Sequence, residues 1–260
     1  MRRPSAEARG EMGKREEYRA KLKALAEWDD YLRHESGLPG PRGNLELAQA
    51  MADEGERSRF ECYLRYGPDT APVNDPGEFL AFCGVVGMGR LAAEGDRDAL
   101  ARIRASASDP RWRMREGVAM ALQRVGDANM DLLIREMRGW AKGSLLERRA
   151  AAAALCEPRL LRRPEHARAV LAIVDAITRT LRQEKDRAAE SFLVLRKGLG
   201  YCWSVAVAAE PEEGKALMEA WLDDPDKDIR WIMRENLKKN RLERIDARWV
   251  EKARVRVEAR

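Results

Sequence analysis

Two distant stretches of this chain are written to one pattern. DPRWRMREGVAMAL occupies 109–122 and DPDKDIRWIMRENL occupies 224–237. Each reads Asp-Pro, three residues, an apolar residue, Arg, six more residues, then Leu. Between them Arg148 precedes Leu155 by the same seven residues, and near the start Arg57 precedes Leu64 by seven. Proline suits the first turn of a helix, where its missing N–H costs nothing. An Asp just ahead can cap the free N–H groups and favours the positive helix end. Met114, Val118, Ala121, Leu122 and Val125 then fall on one apolar stripe, and Ile229, Met233 and Leu237 on another. Each such helix follows a shorter one, DALARIRASAS or GKALMEAWLDD. Helix pairs recurring every 30–50 residues or so cannot bury their apolar faces alone, so they must stack on one another.

The rest of the 260 residues agrees. Ala, Leu, Arg and Glu dominate, aromatics are few, and no long alternating run signals a strand. The pattern predicts helices over 14–34, a pair over 44–66, then 78–93, 97–107, 110–125, 128–140, 144–156, 164–182, 186–208, 212–222, 225–240 and 246–258. The expected organisation is one helical-repeat domain over 1–260. Within it, 1–76 is less regular, 77–245 holds the stacked pairs, and 246–260 is a terminal basic helix. No run of about 18 apolar residues is evident, so no membrane partner is expected. The opening MRRPSAEARGEMGKREE has no apolar segment behind it and does not read as a secretion signal. Cys62, Cys83, Cys156 and Cys202 lie far apart with no metal-ligand spacing. They read as buried free thiols in a reducing cytoplasm, and neither a metal nor a cofactor is expected.

Asp109, Pro110, Met114, Arg115 and Leu122, with Asp224, Pro225, Ile229, Arg230 and Leu237, resemble the HEAT-repeat family. The resemblance is clear for these two repeats, fair over 127–157 and weak before residue 95. It implies an all-α, right-handed α-α superhelix of five or six helix pairs. It also implies that Arg115, Arg148 and Arg230 form an internal ladder with aspartates such as Asp109 and Asp224 of neighbouring repeats. Such motifs support a fold and not a function.

The segment GLPGPRGNLELAQ, 37–49, raises the question of a phosphate loop. Pro39 and Pro41 remove two backbone donors, no GK[ST] follows and no strand precedes it, which argues against a nucleotide site. The simpler reading is a stiff turn with Asn44 capping the next helix, while Arg42 beside a helix N-terminus could hold an anion. Similar Gly-Pro-Arg-Gly-Asn loops occur in bacterial HEAT-repeat proteins of undefined function, which this loop resembles.

Candidates for chemistry are thin. His34 and His166 sit in no triad or metal pattern and read as exposed. EWDDYL at 27–32 is acidic, but it reads as an amphipathic helix with Trp28, Tyr31 and Leu32 inward. RQEKDRAAE reads as a solvated helix face. The strongest candidate is the last repeat. Residues 226–260 carry twelve Lys and Arg against seven Asp and Glu, which equals the whole chain's net charge of +5. Lys227, Trp231, Arg234, Lys238 and Arg241 recur at helical spacing away from Ile229, Met233 and Leu237. Arg111, Trp112 and Arg113 hold the matching place in the earlier repeat. These residues could form one strip for an anion or nucleic acid. Alternatively the row is a wet face, with Trp231 packed near Trp249.

Two functions follow. The first is a non-enzymatic scaffold presenting a concave surface to another protein, or to nucleic acid through the basic end. The second rests on a distant resemblance to DNA-alkylation-repeat proteins, the alkylpurine DNA glycosylases, whose stacked pairs line a basic groove with tryptophans and a catalytic Asp. This chain has seven tryptophans but no matching inward Asp. No catalytic residue is carried over. The HEAT-like bilin lyases are a third relative, with no specific residue in support.

Overall fold

The computed structural model describes the backbone of residues 6–258 and the side chains of residues 13–258. The first residues of the opening stretch and the end of the 246–260 segment lie outside this range. Among the described residues every regular element is helical and there is no strand. The chain divides into two compact units, Met1–Val125 and Gly126–Arg260.

The first unit holds α1 (Ala6–Ala24), α2 (Asp29–His34), α3 (Leu45–Glu54), α4 (Arg57–Tyr63), α5 (Pro76–Ala93), α6 (Arg97–Ser106) and most of α7 (Trp112–Ala128). Helix α5 is its centre and packs against α2, α3, α4 and α6, while α1 lies on α3. Glycine makes these approaches possible: a Cβ at Gly89 would sit 2.5 Å from the Ala121 backbone of α7. The expected helix over 14–34 is two helices. The indole of Trp28 donates to the Leu22 carbonyl at 2.9 Å and tucks the chain back between them. Trp28 and Leu32 are buried and Tyr31 is half-buried, as the amphipathic reading of EWDDYL expects.

The Gly/Pro segment spends its donors and acceptors on the fold. Gly40 N–H donates to Asn74 Oδ1, Leu38 N–H to Ser36 Oγ, and Asn44 N–H to the Ser36 carbonyl. Asn44 Oδ1 caps α3 by accepting from Leu47 N–H at 3.1 Å. The Gly40 carbonyl accepts from Arg113 at 2.5 Å. Amides committed in this way leave no phosphate cradle.

The second unit is a two-layer stack of helical hairpins. Its pairs are α8 (Met130–Trp140) with α9 (Leu145–Leu155), α10 (Pro164–Thr180) with α11 (Glu190–Ala209), and α12 (Pro211–Glu219) with α13 (Lys227–Leu237). Helices α8, α10 and α12 pack side by side in one layer, and α9, α11 and α13 in the other. Helix α14 (Asn240–Glu258), bent at Asp246, closes the stack against α11 and α13. Each pair buries one stripe, as repeat packing requires. Ile229, Met233, Leu237, Leu155 and Trp203 are all shut off from solvent. Met114 and Leu122 are buried in the same way in α7.

Among the described residues one helix, α11, is long and apolar enough by composition to cross a bilayer, although the sequence showed no obvious apolar run. More than half of its apolar window is buried within the protein, and it carries Arg196 and Lys197. It is the core helix of its unit.

The repeated Asp-Pro motif has the same local geometry in both copies. The Arg115 guanidinium donates to the Asp109 and Pro110 carbonyls at 3.1 and 2.9 Å, and Arg230 donates to the Asp224 and Pro225 carbonyls at 2.7 and 2.9 Å. The planar fork closes the loop that feeds each helix. Both helices start two residues beyond their proline, at Trp112 and Lys227, so neither proline occupies the first helical turn. The cap of α13 is Asp226, whose carboxylate accepts from Asp228 and Ile229 N–H.

Ties between neighbouring pairs do exist, but mostly through other arginines. Arg182 holds the Asp224 carboxylate. Arg187 holds Asp226 at 2.5 Å and Asp228 at 2.9 Å, and Arg196 reaches Asp228 at 3.2 Å. Arg148 reaches Glu184 at 2.7 Å and Thr180 at 3.2 Å. RQEKDRAAE is therefore not a solvated helix face. It forms the α10–α11 connection, and Arg187 within it clamps the start of α13.

Burial works against the charged Asp226, yet the bonds from Arg187 and from its own helix amides hold its carboxyl below the ordinary carboxylate value. A carboxyl depressed in the folded state stabilises above its unfolded pKa, and that stability is lost as pH falls through the folded one. Unfolding free energy should be flat near neutrality and decline below roughly pH 4. Asp226→Asn should lower the plateau and shallow the acid limb in urea titrations. An unchanged acid limb contradicts this assignment.

Candidate anion-binding site in the C-terminal unit

The sequence pointed to one basic strip, and the structure separates its members. Arg111 is buried, with bonds to both Asp109 oxygens and to the Tyr66 and Ala71 carbonyls at 3.0 and 2.9 Å. Arg113 is also buried, held by Glu78, Asn74 and the Gly40 carbonyl, and its guanidinium lies 4.4 Å from the exposed ring of Trp112. Neither arginine is presented to a ligand, because the Pro110 turn aims both into the first unit. Arg42 is exposed and lines neither cavity described below.

The C-terminal members stay at the surface. Lys227 is exposed and makes no ion pair among the described residues. Arg234 has no ion-pair partner among them either, and its Nε is buried without a hydrogen bond. Lys238 is tied to Glu235 at 2.5 Å. Arg241 lies on α14, where it stacks 4.6 Å from the Tyr201 ring centre and donates to the Tyr201 hydroxyl at 2.6 Å. Trp231 is covered on one side by Arg196 at 4.1 Å and rests against Gly200. Trp249 instead donates to Glu219 at 2.7 Å.

Two cavities meet along this face. The first, about 510 Å³, is a groove between α11 and α13. Its floor is Gly200, its walls are Leu193, Tyr201 and Trp231, and Lys197 and Lys239 stand at its rim. Helical spacing explains the walls, since Leu193, Lys197 and Gly200 share one face of α11, and Trp231 and Glu235 share one face of α13. A Cβ at position 200 would lie 3.2 Å from Trp231, so glycine leaves this floor open. Tyr201 is 45% exposed and Leu193 43%.

The second cavity, about 820 Å³, opens where the α9–α10 connection, the end of α11 and the α13–α14 turn converge. Pro158, Leu161, Val205, Ala208 and Ala209 give it an apolar base, and Arg162, Lys238, Lys239, Arg241 and Arg244, with Asn240, line the remainder, with no carboxylate among them. Arg162, Lys239 and Arg244 make no ion pair among the described residues. Cations left unneutralised around an apolar floor raise the local positive potential and draw in anions. Lys239 lines both cavities, and the Arg241–Tyr201 stack bridges them.

Among the described residues the remaining reactive groups form no cluster with one another apart from the Cys156–Cys202 pair. His34 is exposed beside Glu35, as expected, but His166 is buried and its Nε2 lies 3.1 Å from Asp131. The hydrogen bond to Cys202, together with burial, pushes the Cys156 thiol well above its ordinary range, with the charge of Arg241 pulling the other way. Burial alone raises Cys83. Cys62, by contrast, is exposed and not buried as the sequence suggested, because it falls on the outer face of the short helix α4. One thiol should therefore react quickly with an aromatic disulfide reagent in native protein, and Cys62→Ser should remove that phase. Two fast phases would contradict the burial of the others.

Among the described residues no group of three His, Cys, Asp or Glu side chains could hold a metal ion. The chain matches no protein-family model and no curated protein.

Proposed function

We propose that the chain is a non-enzymatic helical-repeat scaffold of HEAT type whose C-terminal unit holds an anionic macromolecular partner. The observation that carries this reading is the cavity at the α13–α14 turn, with five lining cations, no lining carboxylate, and three cations that lack an ion pair among the described residues. Elsewhere most arginines are spent on carboxylates, as with Arg15 on Asp53 or Arg187 on Asp226. Unpaired like charges repel one another, so a cluster of them is costly unless something else neutralises it.

The scaffold reading draws support from the state of the acidic and histidine side chains. Glu235, the one carboxylate lining the groove, is engaged by Lys238. His166 is engaged by Asp131.

Titration of a fluorescent polyanion, such as a heparin fragment, tests the proposal. Binding should weaken steeply with salt. It should be lost in Arg162→Glu/Lys239→Glu/Arg244→Glu and retained in the N-terminal control Lys21→Glu. Absence of binding overturns the reading. Release of a methylated purine from DNA by the purified chain would replace it with the glycosylase alternative.

A further inference from the structure

The two joined cavities differ in chemistry, and that difference selects among anions. Resting on the reading above, we infer that the partner is a single-stranded nucleic acid, with phosphates seated among Arg162, Lys239, Arg241 and Arg244 and a base laid against Tyr201 in the adjoining groove.

An acidic peptide needs cations but has no use for an open aromatic slot beside them. A nucleotide unit needs both side by side, and the two cavities adjoin through the shared Lys239. The groove is floored by Gly200 and lined by Tyr201 and Trp231, and since Arg196 already lies over the Trp231 ring, the open aromatic face is that of Tyr201. Tyr201 is nearly half exposed, and only one side of its ring is engaged by Arg241. Base–aromatic stacking is tolerant of sequence because every base has a π-face. A base already paired and stacked in a duplex cannot turn sideways into such a slot without unstacking. The cationic cavity alone would accept either strand form, so the groove is what favours the single strand.

The test measures anisotropy of labelled 12-nucleotide ligands on the full chain. The ligands are an oligothymidylate, the same length of abasic strand, a duplex, and an oligoglutamate of equal charge. The oligothymidylate should bind at least about tenfold tighter than the abasic strand. Tyr201→Ala should erase that difference while leaving affinity for the abasic strand unchanged. Tyr201→Phe keeps the ring but loses the hydroxyl that Arg241 engages, and it should preserve the difference. That separates stacking from the placement of Arg241. Equal binding of intact and abasic strands overturns the inference and leaves the polyanion reading standing. So does tighter binding of the duplex or of the oligoglutamate, the latter marking an acidic protein as the partner. If no ligand binds, the polyanion reading itself fails.

Discussion

Trp203→Ala is expected to destabilise the C-terminal unit by about 3–5 kcal/mol. Trp203 is shut off from solvent in the middle of α11, the helix on which α9, α10, α12, α13 and α14 all pack. Truncation removes a large apolar surface and leaves a cavity that neighbouring helices can fill only by shifting together. Its indole N–H also donates to Thr178 Oγ1 at 3.0 Å. Thr178 itself still donates to the Val174 carbonyl at 2.8 Å, so no orphaned donor is left on that side. Trp203→Phe should consequently cost less than the alanine variant, because it retains most of the volume. Urea denaturation followed by circular dichroism reads both. A loss below about 1 kcal/mol for the alanine variant would contradict the placement of Trp203 at the centre of this stack.

The second large effect concerns binding. Reversing Arg162, Lys239 and Arg244 together to glutamate should weaken polyanion binding at low salt by about a hundredfold or more. None of the three makes an ion pair among the described residues, and Arg162 and Arg244 are exposed. Their reversal therefore breaks no bridge, and the helical signal and urea midpoint should stay close to those of the parent chain. This contrasts with Arg187, whose loss would leave Asp226 without its clamp and Asp228 with Arg196 alone. A triple variant that stays folded and binds as well as the parent would remove the cationic cavity from the account.

The apolar half of the fold was legible in the sequence because it is periodic. Met114 and Leu122 in one repeat, and Ile229, Met233 and Leu237 in the other, announced the buried stripe by spacing alone. The repeated Asp-Pro and Arg were visible too, but as a ladder between repeats; that Arg115 and Arg230 close their own Asp-Pro loops was not. Charge was much less legible. Arg111 and Arg113 look like members of an exposed basic strip until the turn at Pro110 aims them at carbonyls some forty or more residues earlier in the chain, those of Tyr66, Ala71 and Gly40. Arg187 sat unnoticed in a charged run, because its partners Asp226 and Asp228 lie about forty residues later. The site was half legible. Lys238 and Arg241 were picked out by helical spacing. Arg162, Arg244 and Tyr201 were missed, because three separate chain segments must converge before their positions mean anything. The excess of cations after residue 225 pointed toward Arg244 but not toward Arg162 or Tyr201, which precede it.

The salt dependence of single-strand binding tests the central claim most directly. The four cations that seat the phosphates, Arg162, Lys239, Arg241 and Arg244, imply a log–log slope of about −2.8 for the association constant of a single-stranded oligonucleotide with the parent chain. A slope between zero and −1 would show that the cavity does not neutralise phosphates and would contradict the account.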